Sequence, residues 1–422
     1  MFNPKKDRIW WGAVALLGLI YLANCFTPLR LSNDTIRYFR LMEQLEGTWP
    51  GPPAGYEEFL PYGYVYFLLA LSKAGLLRAL VICGCQLAYL AGSLYYACRL
   101  FGTAVSAARL IFFCLLSWVS IKYTVLPLAE MQFLFFSMCT LYWCRRYLAS
   151  GRSRYGWWML VFCGLAVLTR TAGIALVLSL GLAIGHHYRQ ALRQWVGRHR
   201  LLVGFSLLVL ALVPVLGYLY YFSFRIYLQD LGGSFSRDTG RFLWTNFTGH
   251  LIDFGELFVN IPLSKSGPLL PAGWAKPLYM LVGAAFLALV LFRICSRRVA
   301  LPMLVRIYLV VYLLMIFNWP YFDTRFWFPV LPLLVGLLLL PGVPLPGVAR
   351  RWLAPAYGTL AVLSGIFVLG YYSWLSFDRD ALARRQDAGI WQKEYEWYFS
   401  GRPADKRTGM DQDVLYILEK YQ

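Results

Sequence analysis

The segment Leu31–Tyr66, LSNDTIRYFRLMEQLEGTWPGPPAGYEEFLPYGYVY, decides how the rest of the chain is threaded. It separates a first apolar stretch from a long and nearly continuous apolar sequence. It carries Asp34, Glu43, Glu46, Glu57 and Glu58, five of only 21 acidic residues in a chain of formal net charge +19. It runs straight into Pro61–Ala74, which is apolar but short. If Pro61–Ala74 crosses a bilayer, the strongly basic Arg145–Arg154 falls on the outer side. If it lies in the interface, every basic loop falls on the inner side, as retention of Lys and Arg in the cytoplasm requires. The second threading is preferred. Tyr62, Tyr64 and Tyr66 suit the interface, and Leu31–Tyr66 is expected outside.

Composition supports a lipid solvent. The 422 residues are 59% hydrophobic and 14% charged, with a mean hydropathy of +0.54; soluble domains carry about 25% charged residues. Several apolar runs approach the roughly 20 residues needed to cross a bilayer core. They are continuous rather than alternating, which selects helices over a barrel. The expected class is an all-α polytopic membrane protein with about eleven transmembrane helices and juxtamembrane helices at the outer face. The basic excess sits in short clusters between apolar runs and is read as inner loops, not as a nucleic-acid surface. Lys5, Lys6 and Arg8 precede an apolar run with no convincing cleavage site, which reads as an uncleaved first span. The nine cysteines form no CxxC pair and read as packing residues.

Taken in order, the expected spans are Ile9–Thr27, Leu76–Tyr96, Leu110–Ile121, Met131–Cys144, Trp157–Leu168, Ile174–Ile184, Leu201–Phe222, Ala275–Phe292, Met303–Phe317, Phe328–Leu340 and Ala354–Trp374. Residues 1–374 form one transmembrane domain with outer loops at 29–75 and 223–274. Residues 375–422 are expected as a short polar tail on the outer face.

Ionisable residues at a membrane face are costly and mark function by default. This threading brings Asp34, Glu57, Glu58, Glu130, Arg170, Arg237, Arg241, Asp323 and Arg325 to the outer face. Asp34, in Ser32–Asn33–Asp34–Thr35, has two readings: the N-cap of a following helix, or a general base for an acceptor hydroxyl. Glu57 and Glu58 are solvated charges, hydroxyl acceptors or ligands of a divalent cation, although no Asp-x-Asp pattern accompanies them. Glu130 opens the fourth span, where a carboxylate also meets the positive end of a helix dipole. Arg170, between two apolar spans, needs a carboxylate or phosphate for its fork. The same holds for Arg325, with Asp323 as the nearby alternative. Arg237 and Arg241, four apart, would share a helix face or stand as solvated charges. No P-loop, GxSxG, HExxH or dinucleotide fingerprint occurs.

These features in this order resemble the C-type fold (GT-C) integral membrane glycosyltransferases, nearest to the branch of protein O-mannosyl and aminoarabinose transferases. The resemblance rests on Asp34 after the first span with Tyr38 four residues on, on Leu60–Pro61–Tyr62–Gly63–Tyr64, and on Leu126–Leu134 with its Pro and Glu. It also rests on Gly164–Gly173 (GLAVLTRTAG), similar to an LTRPTG stretch, and on the late aromatic–Arg–Pro segment Tyr321–Pro332. It covers Ile9–Gly185 well and the remainder loosely. The departures are Asn33–Asp34 in place of an acidic pair and Thr171–Ala172 in place of Pro-Thr. The resemblance implies an inverting transfer from a polyprenyl-phosphate sugar to an acceptor hydroxyl on a glycan, lipid or protein. Asp34 would be the base, and Glu57, Glu58, Tyr62, Glu130, Arg170, Arg237, Arg241, Tyr321 and Arg325 would bind substrate. It further implies a bacterial cell membrane with the site facing the periplasm or exterior, membrane lipids as surroundings, and no nucleic acid. A divalent cation remains an open alternative. A transporter or flippase, or a polymerase or ligase of lipid-linked glycans, is the competing expectation; charges confined to one face and the absence of a visible repeat favour the enzyme.

Overall fold

The computed structural model describes residues 4–51, 60–190, 222–237, 239–267, 271, 273–341, 349–401 and 409–422. Among them there are eighteen α-helices and no strand. The first half holds α1 (Pro4–Asn24), α2 (Asn33–Glu46), α3 (Tyr62–Lys73), α4 (Ala79–Phe101), α5 (Ala107–Leu115) and α6 (Trp118–Thr124). It continues through α7 (Glu130–Ser150), α8 (Ser153–Thr169) and α9 (Ile174–His187). Then come α10 (Phe222–Arg237), α11 (Thr239–Val259), α12 (Ala275–Cys295), α13 (Met303–Phe317), α14 (Leu331–Leu339) and α15 (Ala354–Phe377). The chain closes with α16 (Arg379–Arg385), α17 (Gln392–Ser400) and α18 (Gln412–Tyr421).

Among the described residues, Ala79–Ala104, Ala275–Cys295 and Arg351–Phe377 are long and apolar enough to cross a bilayer, with α5 and α6 together making a fourth if counted as one span. Arg8–Asn24, Thr171–His187, Met303–Phe317 and Thr324–Leu339 are shorter apolar helical stretches. Leu16, Leu19 and Leu22 of α1 and Leu360, Leu363 and Phe367 of α15 are exposed. Contiguous apolar surface of this kind is a liability in water and ordinary against lipid tails. The expected helical membrane class holds. The expected span Leu201–Phe222 lies, apart from Phe222, outside the described residues.

The centre of the bundle is α7. From Glu130 to Leu134 and from Phe136 to Leu141 its side chains are all buried, as expected of a helix that is apolar on every side and surrounded by others. It lies between α4 and α8 and also meets α9 and α13.

Two expectations are corrected by helix breaks. The third span is not straight: α5 and α6 meet at a bend of 69° over Leu116–Ser117. A break frees backbone groups that apolar surroundings cannot satisfy. Tyr21 Oη donates to the carbonyl of Leu115 at 2.7 Å, and Asn260 Nδ2 to that of Leu116 at 3.0 Å. Asn260 Oδ1 in turn accepts from the Trp118 N–H at 2.8 Å. One amide side chain thus stands in for the missing turn. Asn260 itself has φ +62°, a left-handed conformation that Asn tolerates better than most residues. The tenth span is also uneven, opening as a 3-10 turn over Thr324–Val330 that contains Pro329 before α14 begins.

The segments expected as an outer loop and an outer tail hold helices. Residues 223–274, expected as a large loop, contain most of α10, then α11. The latter crosses α12 so closely that a Cβ on Gly255 would fall 2.0 Å from the Tyr279 carbonyl oxygen, and one on Gly283 would fall 1.9 Å from that of Leu251. Residues 375–422, expected as a polar tail, fold into α16, α17 and α18 and dock on α2. The buried Glu43 carboxylate accepts from Tyr421 Oη and pairs with Lys420 Nζ at 2.7 Å.

At the other end, arginines close helix C-termini. Arg145 donates to the carbonyls of Arg99 and Leu100 at the end of α4. Arg306 donates to those of Ile294 and Ser296 where α12 ends, and the buried Arg293 to those of Leu337, Leu338 and Leu340 where α14 ends. These carbonyls have no helical partner and carry the negative end of the dipole.

The role of Asn260 predicts that Asn260→Leu, which orphans the Leu116 carbonyl and the Trp118 N–H and forces a branched residue into a left-handed backbone, destabilises the protein by about 3 kcal/mol. Asn260→Gly, which keeps the backbone conformation, should cost less. Unfolding midpoints of the purified protein in detergent check both; equal stability of Asn260→Leu and the native chain would refute the account.

Candidate functional site

The site begins at the start of α2. Ser32, in extended conformation, accepts from the Thr35 N–H at 3.3 Å and is the N-cap. Asp34 therefore does not cap, and its carboxylate remains available, favoured by the positive end of the helix. The face Thr35, Tyr38, Phe39 and Met42 is buried at helical spacing, and Gly47 ends the helix with φ +76°. This fixes which way the first turn presents Asp34. Its Oδ2 pairs with Arg325 Nη1 at 2.5 Å, and its Oδ1 lies 3.8 Å from Arg37 Nη1.

Glu130 is the first residue of α7, and its side chain is only 3% exposed. The preceding Leu126–Pro127–Leu128 turn is tied to α4 by Gln86, whose Nε2 donates to the carbonyls of Leu126 and Leu128 at 2.9 Å each. Arg170 follows α8 in extended conformation, φ −148°. Its guanidinium pairs directly with the Glu130 carboxylate. The place of Arg170 depends on α3, because Gly63 sits where a Cβ would be 2.7 Å from the Leu168 carbonyl oxygen.

Arg325 is held by Asp323, which caps the 3-10 turn by accepting from the Arg325 N–H at 2.8 Å and also accepts from Tyr123 Oη at 3.2 Å. The Arg325 side chain reaches three carboxylates: Asp34, Asp323 at 3.3 Å and Glu130 at 3.9 Å. Arg170 and Arg325 both lie over the Phe326 ring, at 5.5 and 5.1 Å. The result is one chain of alternating charge, Asp34–Arg325–Glu130–Arg170.

These groups line a cavity of about 450 Å³ together with Tyr38, Trp319, Tyr321, Asp323 and Asp387. Of the residues expected from sequence, Asp34, Glu130, Arg170, Tyr321 and Arg325 meet here. Tyr321 Oη also donates to Asp230 of α10. Tyr62 does not line this cavity; it packs near Tyr66 on α3, while its neighbours Leu60 and Pro61 reach the site. Arg237 ends α10 and Arg241 opens α11, so they do not share one helix. Arg241 is exposed and lines neither this cavity nor the one beside it; the Arg237 side chain, Glu57 and Glu58 lie outside the described residues. Among the described residues no three His, Cys, Asp or Glu side chains gather to hold a metal ion.

A second cavity of about 640 Å³ adjoins the first and shares Ser32, Phe322, Asp323, Arg325 and Asp387 with it. Sequence reasoning missed Asp387, which belongs to the C-terminal segment. Asp387 and Ala388 both adopt left-handed backbone, φ +47° and +59°, a cost of about 1–3 kcal/mol each for residues other than glycine. No spacing or motif in the sequence signals it. Also missed were Asp253 and Glu256 of α11, which face the second cavity. Glu256 accepts from the Leu263 N–H at 2.9 Å and from Thr324 Oγ1. Burial, and then the neighbouring Asp253 and Asp323 against these hydrogen bonds, pushes its pKa up to about 7. Burial likewise raises Asp253, against the adjacent His250.

No family model, curated protein or solved structure matches the chain.

Because the Glu256 carboxyl is held above its ordinary acid range, its contribution to stability is full below about pH 4.5 and is lost as pH rises through about 7. Glu256→Gln should remove this loss, at most about 3 kcal/mol, and flatten the stability profile between about pH 4.5 and 7. Melting curves of both proteins across that range test it; identical profiles would exclude Glu256 as the titrating group.

Proposed function

We propose that the protein is a membrane glycosyltransferase of about eleven crossings that moves a sugar from a polyprenyl-phosphate donor to an acceptor hydroxyl at the outer, periplasmic or exterior, face. The observation that carries this reading is the Asp34–Arg325–Glu130–Arg170 chain in one cavity, with Asp34 relieved of capping by Ser32. A helical protein whose charged groups gather at one cavity suits a reaction on a lipid-borne substrate more than a path between two faces.

In this reading the donor phosphate enters beside Arg170 and Arg325. It competes with Asp34 for Arg325, and the carboxylate so released accepts the proton of the acceptor hydroxyl. The acceptor oxygen bonds to the anomeric carbon as the bond from that carbon to the phosphate oxygen breaks. The electron pair leaves with polyprenyl phosphate, and configuration at the anomeric carbon inverts. The leaving group is a stable anion, so it calls for fixed positive charge in a dry site rather than a proton. Glu130 keeps Arg170 charged and aimed. Trp319 and Tyr321 offer faces or hydroxyls to the sugar.

With purified protein, a polyprenyl-phosphate sugar and native acceptor extract, Asp34→Asn should lower transfer by about 10²–10⁴-fold while the donor KM falls, because the donor phosphate no longer competes with a carboxylate for Arg325. Arg325→Lys, which keeps the charge but loses the fork, should lower kcat and raise the donor KM. Undiminished transfer by Asp34→Asn removes Asp34 as the base.

A further inference from the structure

The reaction proposed above uses the first cavity and leaves the second without a role. Beside Arg325, and Arg30 whose guanidinium donates to Thr27, the Tyr372 carbonyl and Ser376, three further cations face that second cavity: Lys122, Lys265 and Arg385. Lys122 Nζ rests 5.4 Å from the Trp118 ring centre and 5.1 Å from that of Tyr123. Lys265 Nζ lies 5.6 Å from Tyr371, and the Arg385 guanidinium 5.2 Å from Trp374. Among the described residues none of the three forms an ion pair with a carboxylate. A ring face positions a cation without neutralising it; Lys122 also attracts the Asp387 carboxylate, so an anionic ligand there competes with Asp387 for it. Asp253 and Glu256 share the cavity, but Glu256 is bonded to Thr324 and Leu263, and Asp253 stands beside His250.

The wall between the cavities is equally specific. A molecule reaching Asp34 from the second cavity passes Asp323, Arg325 and Asp387, which line both. Asp387 is kept in its left-handed backbone by bonds around it. Gln386 Nε2 donates to the Leu31 carbonyl at 2.8 Å, Tyr395 Oη donates to the Leu29 carbonyl at 2.8 Å, and the Leu31 N–H donates to Tyr395 Oη at 2.9 Å. Strain retained at a cavity wall by over-determined surroundings points toward function. The same bonds fasten the C-terminal segment to the strand of chain that leads into Asp34.

We propose that the second cavity is the acceptor site and takes an acceptor whose anionic group, a phosphate or carboxylate, binds Lys122, Lys265 and Arg385 while Asp387 turns its hydroxyl toward Asp34. This rests on the glycosyl-transfer reading and names the class of its second substrate. Transfer then forms the acceptor oxygen–anomeric carbon bond at the shared wall, with the proton passing to Asp34 and the phosphate leaving on the side of Arg170.

The test uses the purified full-length protein in two measurements. In the first, calorimetric titration with inorganic phosphate should show binding that Lys122→Gln/Lys265→Gln weakens at least tenfold. In the second, transfer of labelled sugar from an undecaprenyl-phosphate donor to native acceptor extract should show an acceptor KM raised at least tenfold by the same pair. The donor KM and the slow hydrolysis of donor by water should not change. Partition of the labelled product between butanol and water separates a lipid acceptor from a soluble one. Asp387→Gly, which relieves left-handed strain, should raise the melting midpoint yet lower transfer at least tenfold; Ala388→Gly serves as the strain control and should also raise the midpoint. Phosphate binding indifferent to the lysine pair overturns the anion site. A donor KM that rises with it overturns the acceptor assignment in favour of the donor. Full transfer by Asp387→Gly removes that residue. If the native chain transfers no sugar from any polyprenyl-phosphate donor, the reaction falls and the acceptor assignment with it, while the phosphate titration still judges Lys122 and Lys265.

Discussion

A carboxylate buried at the start of the central helix is the constraint around which this end of the helical bundle is arranged. Glu130 cannot keep its charge out of water without cations and donors close by. Arg170 and Arg325 come from two distant parts of the chain to supply it, and Arg325 brings Asp34 with it. The elements that deliver those two arginines are therefore not free to vary independently. Gly63 sets how near α3 lies to the end of α8, Gln86 sets the turn into α7, and Asp323 sets the backbone from which Arg325 projects. Each of these small local devices serves one charge-pairing problem.

The sequence made parts of this legible for physical reasons. Charged residues stand out against a long apolar background, so Asp34, Glu130, Arg170 and Arg325 could be found by their cost alone, and the basic clusters ordered the spans. What remained hidden were features whose signal is not compositional. The bend between α5 and α6 has no proline or glycine to announce it; the groups that satisfy it, Asn260 and Tyr21, lie about a hundred residues away in sequence. Asp387 looked like one charge among many in a polar tail, because its importance lies in backbone conformation and in what lies across the cavity. Ser32 could not be chosen over Asp34 as a cap, since both residue types serve at that position. Arg237 and Arg241 were linked by a spacing that presumed one helix where there are two.

The C-terminal segment changes the meaning of the domain. Glu43 of α2 meets Lys420 and Tyr421, and Leu29 and Leu31 meet Tyr395. The two ends of the chain thus enclose the residue that starts the site. The N-terminal and C-terminal elements hold each other in place across a long separation in sequence, a contact whose loop-closure entropy the rest of the fold must offset.

The arginines that close α4, α12 and α14 splice one helix to another. Arg145 of α7, Arg293 of α12 and Arg306 of α13 each tie off the last carbonyls of a different helix with a planar fork. Lysine keeps the charge but not the fork. A chain recoded from arginine to lysine at these three positions would carry the same net charge with unspliced helix ends, so what these positions encode is shape as much as sign.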